Sequence, residues 1–374
     1  MENEPNEGSS SSPPLKRQRI GAASSSSSSS MSFDEMAARN VQLEQQLQLA
    51  EEEITKLKDD NQYNKGLLST CKQEDVQRMK VDFLFTACES GDVSTASRLL
   101  AALPEVKLNT IKWSKDEGDL TLLTHAARKG HAEICQMLLD RGADVNQRSE
   151  GMVLGLGGSS VGTSPLINAC RNGHSKVVNV LLAVGGIDVN QRKDDGSTAL
   201  YIACQEGHLE TVKLLLAVDG IQVNQADDEE CTPLNIACQN GHSKVVKMLL
   251  AVDGIQVNQA DEDGVTSLNM ACEDGHSKIV EMLLAVDSIQ VNQTEQEGCT
   301  PLWMACQNGH SKVVKLLLAV NGIQVNQADN EGTPPLCITC AKGHLEVAEM
   351  LLAVDGIQVN QADNGGFTPL YVAC

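Results

Sequence analysis

Seven leucines, Leu166, Leu200, Leu234, Leu268, Leu302, Leu336 and Leu370, stand 34 residues apart, and around each of them the same letters recur. The string "CQNGHSKVVK" occurs letter for letter at Cys238–Lys247 and again at Cys306–Lys315. A period of this length constrains the fold more than any single motif does. Each copy is one supersecondary unit, too small to bury its own apolar face, so the copies must stack on one another. It also means that any motif inside a unit recurs, whatever its chemistry.

One unit reads "CTPLNIACQNGHSKVVKMLLAVDGIQVNQADEDG", from Cys231 to Gly264. Thr232 can cap the free amides of a helix, and Pro233 suits the first turn, where no donor is needed. Leu234, Ile236, Ala237 and Cys238 continue it as a short helix of small apolar side chains. Gly241 ends it in a backbone shape that other residues resist. A second helix follows, with Val245, Val246, Leu249 and Leu250 inward. Asp253-Gly254 breaks that helix, and "IQVNQADEDG" runs out as an extended finger and turn. Helices this short are not stable alone in water, which makes stacking obligatory.

The pattern "TPL…A(C)…GH…VV…LLL…VNQAD" resembles the ankyrin repeat over about residues 82–374. Repeats of that family usually run 33 residues. Here "DRGADVN" (Asp140–Asn146) keeps that form, with Leu139 seven residues before Asn146. Later units read "AVDGIQVN", with Leu216 eight residues before Asn224, and this one added residue gives the longer period. The resemblance implies an all-α repeat solenoid, in which helix-turn-helix units stack side by side with β-turn fingers. About eight units are present, the first two divergent ("FLFTACESGDVSTASRLLAAL" and "LLTHAARKGHAEICQMLLDRGADVNQR"), with a truncated ninth at "FTPLYVAC". At Cys374 two readings stay open, a sequence that continues or a half-unit serving as a makeshift cap.

Ahead of the stack the composition changes. Residues 1–32 are rich in Ser, Pro and Gly and bury too little apolar surface to fold, so they read as a disordered tail. Within them "PPLKRQR" is a nuclear-localisation candidate carried by Lys16, Arg17 and Arg19, or simply a solvated cluster. Residues 33–62 carry heptads with Met36, Leu43, Ala50 and Leu57 at a, and Asn40, Leu47, Ile54 and Asn61 at d. This reads as a short coiled coil able to form a homodimer, or as a solvated single helix. Residues 63–81 read as a linker.

Three motifs invite a chemical reading. Cys and His stand four apart at Cys170/His174, Cys204/His208, Cys238/His242, Cys272/His276, Cys306/His310 and Cys340/His344. Structural zinc requires four ligands converging within about 2.0–2.3 Å of the ion, and stacked helices separate the pairs by about 8–10 Å. The pair also dissociates: "AARKGH" keeps His131 beside Ala127, and "ACESGD" keeps Cys88 without histidine. Smallness is therefore what the cysteine position demands. Seven of the eight histidines follow the glycine, where the resemblance implies an imidazole bonded to turn backbone. "CITC" (Cys337–Cys340) is a coincidence of a varying column with the small one. "GMVLGLGGSSVGTS" (Gly151–Ser164) lacks the lysine of a phosphate loop. It lengthens one finger by nine residues, either as a binding loop exposing Met152, Leu154 and Leu156 or as a tolerated insertion.

A binding surface is expected where the repeat relaxes. The residue after each periodic leucine varies, and holds Tyr201, Trp303 and Tyr371 in a chain with three Tyr and two Trp. Such residues suit interface anchors, although the column could equally pack on the adjacent finger. Fingertips are acidic, led by Asp227, Asp228, Glu229, Glu230, Asp261 and Asp263, while Lys176, Lys213, Lys244, Lys247, Lys278, Lys312 and Lys315 sit on the second helices. The tips are expected to receive a basic segment of a protein partner, or to be ordinary solubility charge.

A formal charge of −21 argues against nucleic acid as a partner. No apolar run reaches the roughly 18 residues of a membrane span, and no apolar signal segment opens the chain. The 13 cysteines therefore read as intracellular thiols, cytoplasmic or nuclear. No asymmetric catalytic group, metal site or cofactor motif stands out. The expectation is a non-catalytic interaction scaffold or adaptor that binds a protein partner through the concave face and fingers that the resemblance implies. The alternatives are the targeting part of a larger enzyme or receptor, or a nuclear regulatory subunit.

Overall fold

A computed structural model of the chain describes residues 38–39, 41–42, 45–49, 51–52, 65–103, 108–110, 112–113, 120–149 and 162–374. The basic cluster Lys16–Arg19 and the insertion residues Met152, Leu154 and Leu156 lie outside the described residues. Each complete unit contributes one inner and one outer helix, and the last described residues add one more inner helix. The inner row is α1 (Lys65–Ser90), α3 (Leu122–Lys129), α5 (Pro165–Arg171), α7 (Ala199–Gln205), α9 (Pro233–Gln239), α11 (Ser267–Glu273), α13 (Pro301–Gln307), α15 (Pro335–Lys342) and α17 (Pro369–Ala373). The outer row is α2 (Val93–Ala102), α4 (Ala132–Asp140), α6 (Ser175–Leu182), α8 (Leu209–Leu216), α10 (Ser243–Leu249), α12 (Ser277–Leu284), α14 (Ser311–Leu318) and α16 (Leu345–Leu352). Within each row every helix packs on the next. The first finger is a short antiparallel ladder of β1 (Lys112–Trp113) with β2 (Leu120–Thr121).

Local chemistry sets the helix ends. Thr232 accepts a hydrogen bond from the Asn235 amide at 3.2 Å, and Pro233 occupies the first turn. Thr121, Ser164, Thr198, Thr266, Thr300 and Thr368 cap their helices in the same way. Pro334 takes this place ahead of α15, which therefore has no side-chain cap. In α9 the residues from Pro233 to Cys238 are all buried, with Ala237 and Cys238 at 0% exposure. There is no room for a larger side chain between neighbouring inner helices. In α10, Val245, Val246 and Leu249 close the unit from the other side.

Two polar clips join each unit to its neighbour. The imidazole Nε2–H of His276 donates to the Gln239 carbonyl of the preceding inner helix at 3.0 Å. The same bond runs from His131, His174, His208, His242, His310 and His344. The ring lies over the preceding glycine turn, where Gly241 has φ of +75°, and a Cβ there would stand 2.6 Å from His276 Cε1. Glycine is required twice, for its backbone angle and for the space of the next ring. The second clip is an asparagine of the finger stalk. Asn224 donates from Nδ2 to the Gly254 carbonyl and accepts at Oδ1 from the Gln256 amide, at 2.9 and 3.0 Å. Asn146, Asn190, Asn258, Asn292 and Asn326 repeat it.

The N-terminal end differs from the sequence expectation. Residues 65–81, read as linker, are helical and continuous with the first inner helix. Val76, Phe83 and Ala87 are buried at helical spacing, a signal masked by the charges between them. The described residues of 38–52 are helical, and their seam residue Leu47 packs against the core of the stack. Glu51, one turn on, forms an ion pair of 2.7 Å with Lys80. The remaining heptad positions from Leu43 to Leu57, Leu47 apart, lie outside the described residues.

The first units are polar where later ones are apolar. Where later units carry Ile202, Ile236, Met270 and Met304, the first three carry Thr86, His125 and Asn168, all buried, and His125 is 2% exposed, edge-on to Phe85 at 6.1 Å between ring centres. Its Nδ1 has no hydrogen-bond partner among the described residues. Burial, with Arg128, Lys129 and His131 nearby, lowers its pKa to about 3.

Two consequences are testable. Gly241→Ala should destabilise the protein by about 1–3 kcal/mol in urea melts, and His276→Ala in the same chain should return the part due to the clash. An unchanged melt for Gly241→Ala would remove the double role. His125 is neutral in the fold but titrates near 6.5 once unfolded. Its contribution is therefore complete above that pH and is lost progressively as pH falls towards 3. Between pH 7.5 and 5.0 the wild type should lose more stability than His125→Ile, and equal losses would mean that the ring is solvated.

Candidate partner-binding surface

The fingers are built by carboxylates that turn the chain. Asp227 Oδ1 accepts from the amides of Glu229 and Cys231 at 3.1 and 2.9 Å, and Asp261 Oδ1 from those of Asp263 and Val265 at the same distances. Asp261 is buried, and burial raises the Asp227 carboxyl pKa. These two residues shape the turn and are not offered to a partner. Asp228, Glu229, Glu230, Glu262 and Asp263 are the exposed acids of the two tips. Asp228 is paired with Arg192 of the preceding finger at 2.7 Å.

Successive fingertips are laced by backbone. The Glu262 amide donates to the Glu229 carbonyl at 3.0 Å, Gln296 to Asp263 at 2.9 Å, Asn330 to Glu297 at 2.9 Å and Asn364 to Glu331 at 3.0 Å. Side chains standing on these turns form columns along one edge of the stack. Glu230 is the one non-glycine with positive φ among the described residues, at +59°. Equivalent places in other fingers hold Gly196, Gly264, Gly298, Gly332 and Gly366, each at +78° to +83°.

Tyr201 and Trp303 do not present their rings. They are 6% and 7% exposed, because the position after each periodic leucine faces the next finger. The Tyr201 hydroxyl is hydrogen bonded to the Asp227 carboxylate, and Trp303 Nε1–H donates to the Thr333 carbonyl at 2.9 Å. Asn235 reaches the Gln259 carbonyl, and the Cys337 thiol the Phe367 carbonyl, at 3.2 and 3.4 Å. This column varies because each member matches the finger that covers it. Tyr371, with no described finger over it, is 66% exposed. Rarity of aromatic residues pointed to anchors; their place in the unit makes two of the three part of the stack.

The Cys and His columns are likewise structural. Cys170, Cys204, Cys238, Cys272 and Cys306 are 0% exposed, and burial pushes the thiol of Cys306 up to about 12. Their histidines are engaged by main-chain carbonyls of the preceding unit. Among the described residues no group of three or more His, Cys, Asp or Glu side chains is disposed to hold a metal ion. No described helix is long and apolar enough to cross a membrane. The asparagine clip was not singled out in the sequence, although its signal was there: Asn follows Val in each finger stalk from Asn146 to Asn360, and Leu in the first, where Asn109 Oδ1 accepts from the Asp144 amide.

Family models described as ankyrin repeats match residues 51–149, 166–261, 219–295, 254–329 and 319–374, and a second such description matches 123–182. Similar proteins include probable E3 ubiquitin-protein ligase XBOS33 of Oryza sativa subsp. japonica, 36% identical over 99 residues. E3 ubiquitin-protein ligase XBAT33 of Arabidopsis thaliana is 38% identical over the same length. Each alignment takes in 26% of this chain, and it covers 16% and 17% of the two ligases. The match thus spans about a sixth of the length of these curated relatives.

Proposed function

The chain belongs to the ankyrin-repeat family, and from that premise we propose that it is a non-catalytic intracellular adaptor that holds a protein partner along its finger edge. The observation that carries the reading is the laced row of tips with Asp228, Glu229, Glu230, Glu262 and Asp263 exposed on two adjacent turns. Fixed carboxylates on a stiff edge suit a basic, extended polypeptide segment. They attract it before contact and hold it without the partner having to order the surface. Glu230 keeps a charge where the other fingers have glycine, at a conformational cost of about 1–2 kcal/mol. Tyr371 is the aromatic candidate left exposed. The intracellular placement is supported by thiols that are free and, Cys340 and Cys374 apart, buried among the described cysteines.

Charge reversal at Glu229, Glu230 and Asp263, sparing the turn-forming Asp227 and Asp261, should weaken capture of the partner and flatten its salt dependence. Glu230→Gly separates recognition from folding: it should raise stability by about 1 kcal/mol while still weakening capture. The partner is identified by pull-down with the full chain and mass spectrometry. Capture that survives both variants would end the assignment of the partner to this edge.

A second reading rests on the two relatives, both named as E3 ubiquitin-protein ligases. In it the repeats select proteins for ubiquitin transfer, with the transfer performed elsewhere. With ubiquitin and its activating and conjugating enzymes, this chain alone should form no conjugates, while a complex recovered with it should. Transfer by the chain alone would establish it as an enzyme.

A further inference from the structure

The outer helices carry a second charged surface, opposite in sign to the finger edge and independent of it. Two exposed columns recur three residues apart on one helical face. The first reads Lys176, Glu210, Lys244, Lys278, Lys312, Glu346, and the second Asn179, Lys213, Lys247, Glu281, Lys315, Glu349. Their middle, on α10, α12 and α14, holds Lys244, Lys247, Lys278, Lys312 and Lys315 against the single acid Glu281. These three helices pack consecutively, so the lysines lie on neighbouring ridges about 8–10 Å apart.

The five lysines are exposed, and none has an ion-pair or hydrogen-bond partner among the described residues. Elsewhere Lys80 pairs with Glu51, Lys129 with Glu89, Lys193 with Asp195 and Lys213 with Glu210, while the exposed Lys176 and Lys342 stand singly. Among the described residues, only on α10, α12 and α14 do unpaired lysines gather on neighbouring helices. The patch is also bounded. Beyond it the same columns turn acidic at Glu346 and Glu349, and on the other side Glu210 offsets Lys213. In a chain of net charge −21, a positive field confined to three of the outer helices stands out against the rest of the surface. With a Debye length of about 8–10 Å, a ligand close to the patch senses these lysines before it senses the distant acids.

We propose that the outer face of α10, α12 and α14 is a docking surface for an acidic polypeptide segment. A short acidic segment fits better than a long polyanion. Three ridges span about the length of six to nine extended residues, and a duplex or a membrane would extend past the patch onto Glu210, Glu346 and Glu349.

The test uses the full chain and a fluorescent oligo-glutamate peptide of about ten residues, followed by anisotropy at about 50 mM salt. Binding is expected, weakening as salt rises. The variant Lys244→Glu, Lys247→Glu, Lys312→Glu, Lys315→Glu should weaken it about ten-fold or more. A control of equal charge change, Arg78→Glu, Arg98→Glu, Lys176→Glu, Lys342→Glu, should stay within about two-fold. Circular dichroism melts of both variants exclude unfolding as the cause. Absence of binding, or equal losses in patch and control variants, would overturn the proposal. So would tighter binding of a short duplex DNA or of anionic phosphatidylserine vesicles through the same four lysines.

Discussion

Burial of each helix pair between two others is the interaction on which every other feature rests. Helices of seven or eight residues such as α9 and α8 fall below the length at which backbone bonding offsets nucleation. Leu234, Val246 and Leu249, almost fully buried, each contribute about 1.5–3 kcal/mol, and only because neighbouring units exclude water from them. The constraint is local but imposed at every interface alike, so it writes the same residues into each copy. Cysteine and alanine alternate at the tightest point, Cys238 against Ala127, because what is selected there is volume rather than chemistry.

Apolar burial alone does not fix how two units are aligned, since it is non-directional. The histidine and asparagine clips supply the direction. Each joins a side chain of one unit to main-chain groups of another, so a shift of one residue would break both. The histidine bond also explains the glycine beneath it, where an added Cβ would meet the ring. Two recurring letters, Gly and His, thus encode one contact across an interface. The thiols and imidazoles that together suggest a metal site belong to different jobs, one filling the inner row and the other tying adjacent turns.

The repeated positions were legible from sequence because each is determined by the unit itself or by an identical neighbour. Thr232, Pro233, Gly241 and the apolar faces could be placed in this way. The residues after the periodic leucines could not, because their surroundings come from a finger 30 residues further on, whose composition differs in each unit. Trp303 looks the same on paper whether it meets solvent or the Thr333 carbonyl. Asp227 and Asp228 are equally acidic in sequence, yet one forms the turn and the other stands on it. Most of α1 lies ahead of the repeated units. Val76 and Phe83 are correctly spaced for a helix, but the charged residues between them have no repeated counterpart to identify their face.

A stack of this kind converts single exposed residues into linear arrays, since whatever stands at one place in the unit reappears at the next. The finger edge and the outer helices are two such arrays on separate elements, and they carry opposite charge. Their separation has a physical basis. Fingertips require carboxylates or amides to accept turn amides, as Asp227, Asp261 and Asp329 do, so acidity there begins as backbone chemistry. Outer helices have no such requirement and tolerate lysine, whose long stem can cover the apolar ridge beneath it. Structural demand thus sets the sign of each array, and departures from it mark where recognition has added something. Glu230 is one, a charge held where the turn favours glycine; the unpaired lysines of α10, α12 and α14 are another, a positive field that the stack itself does not need.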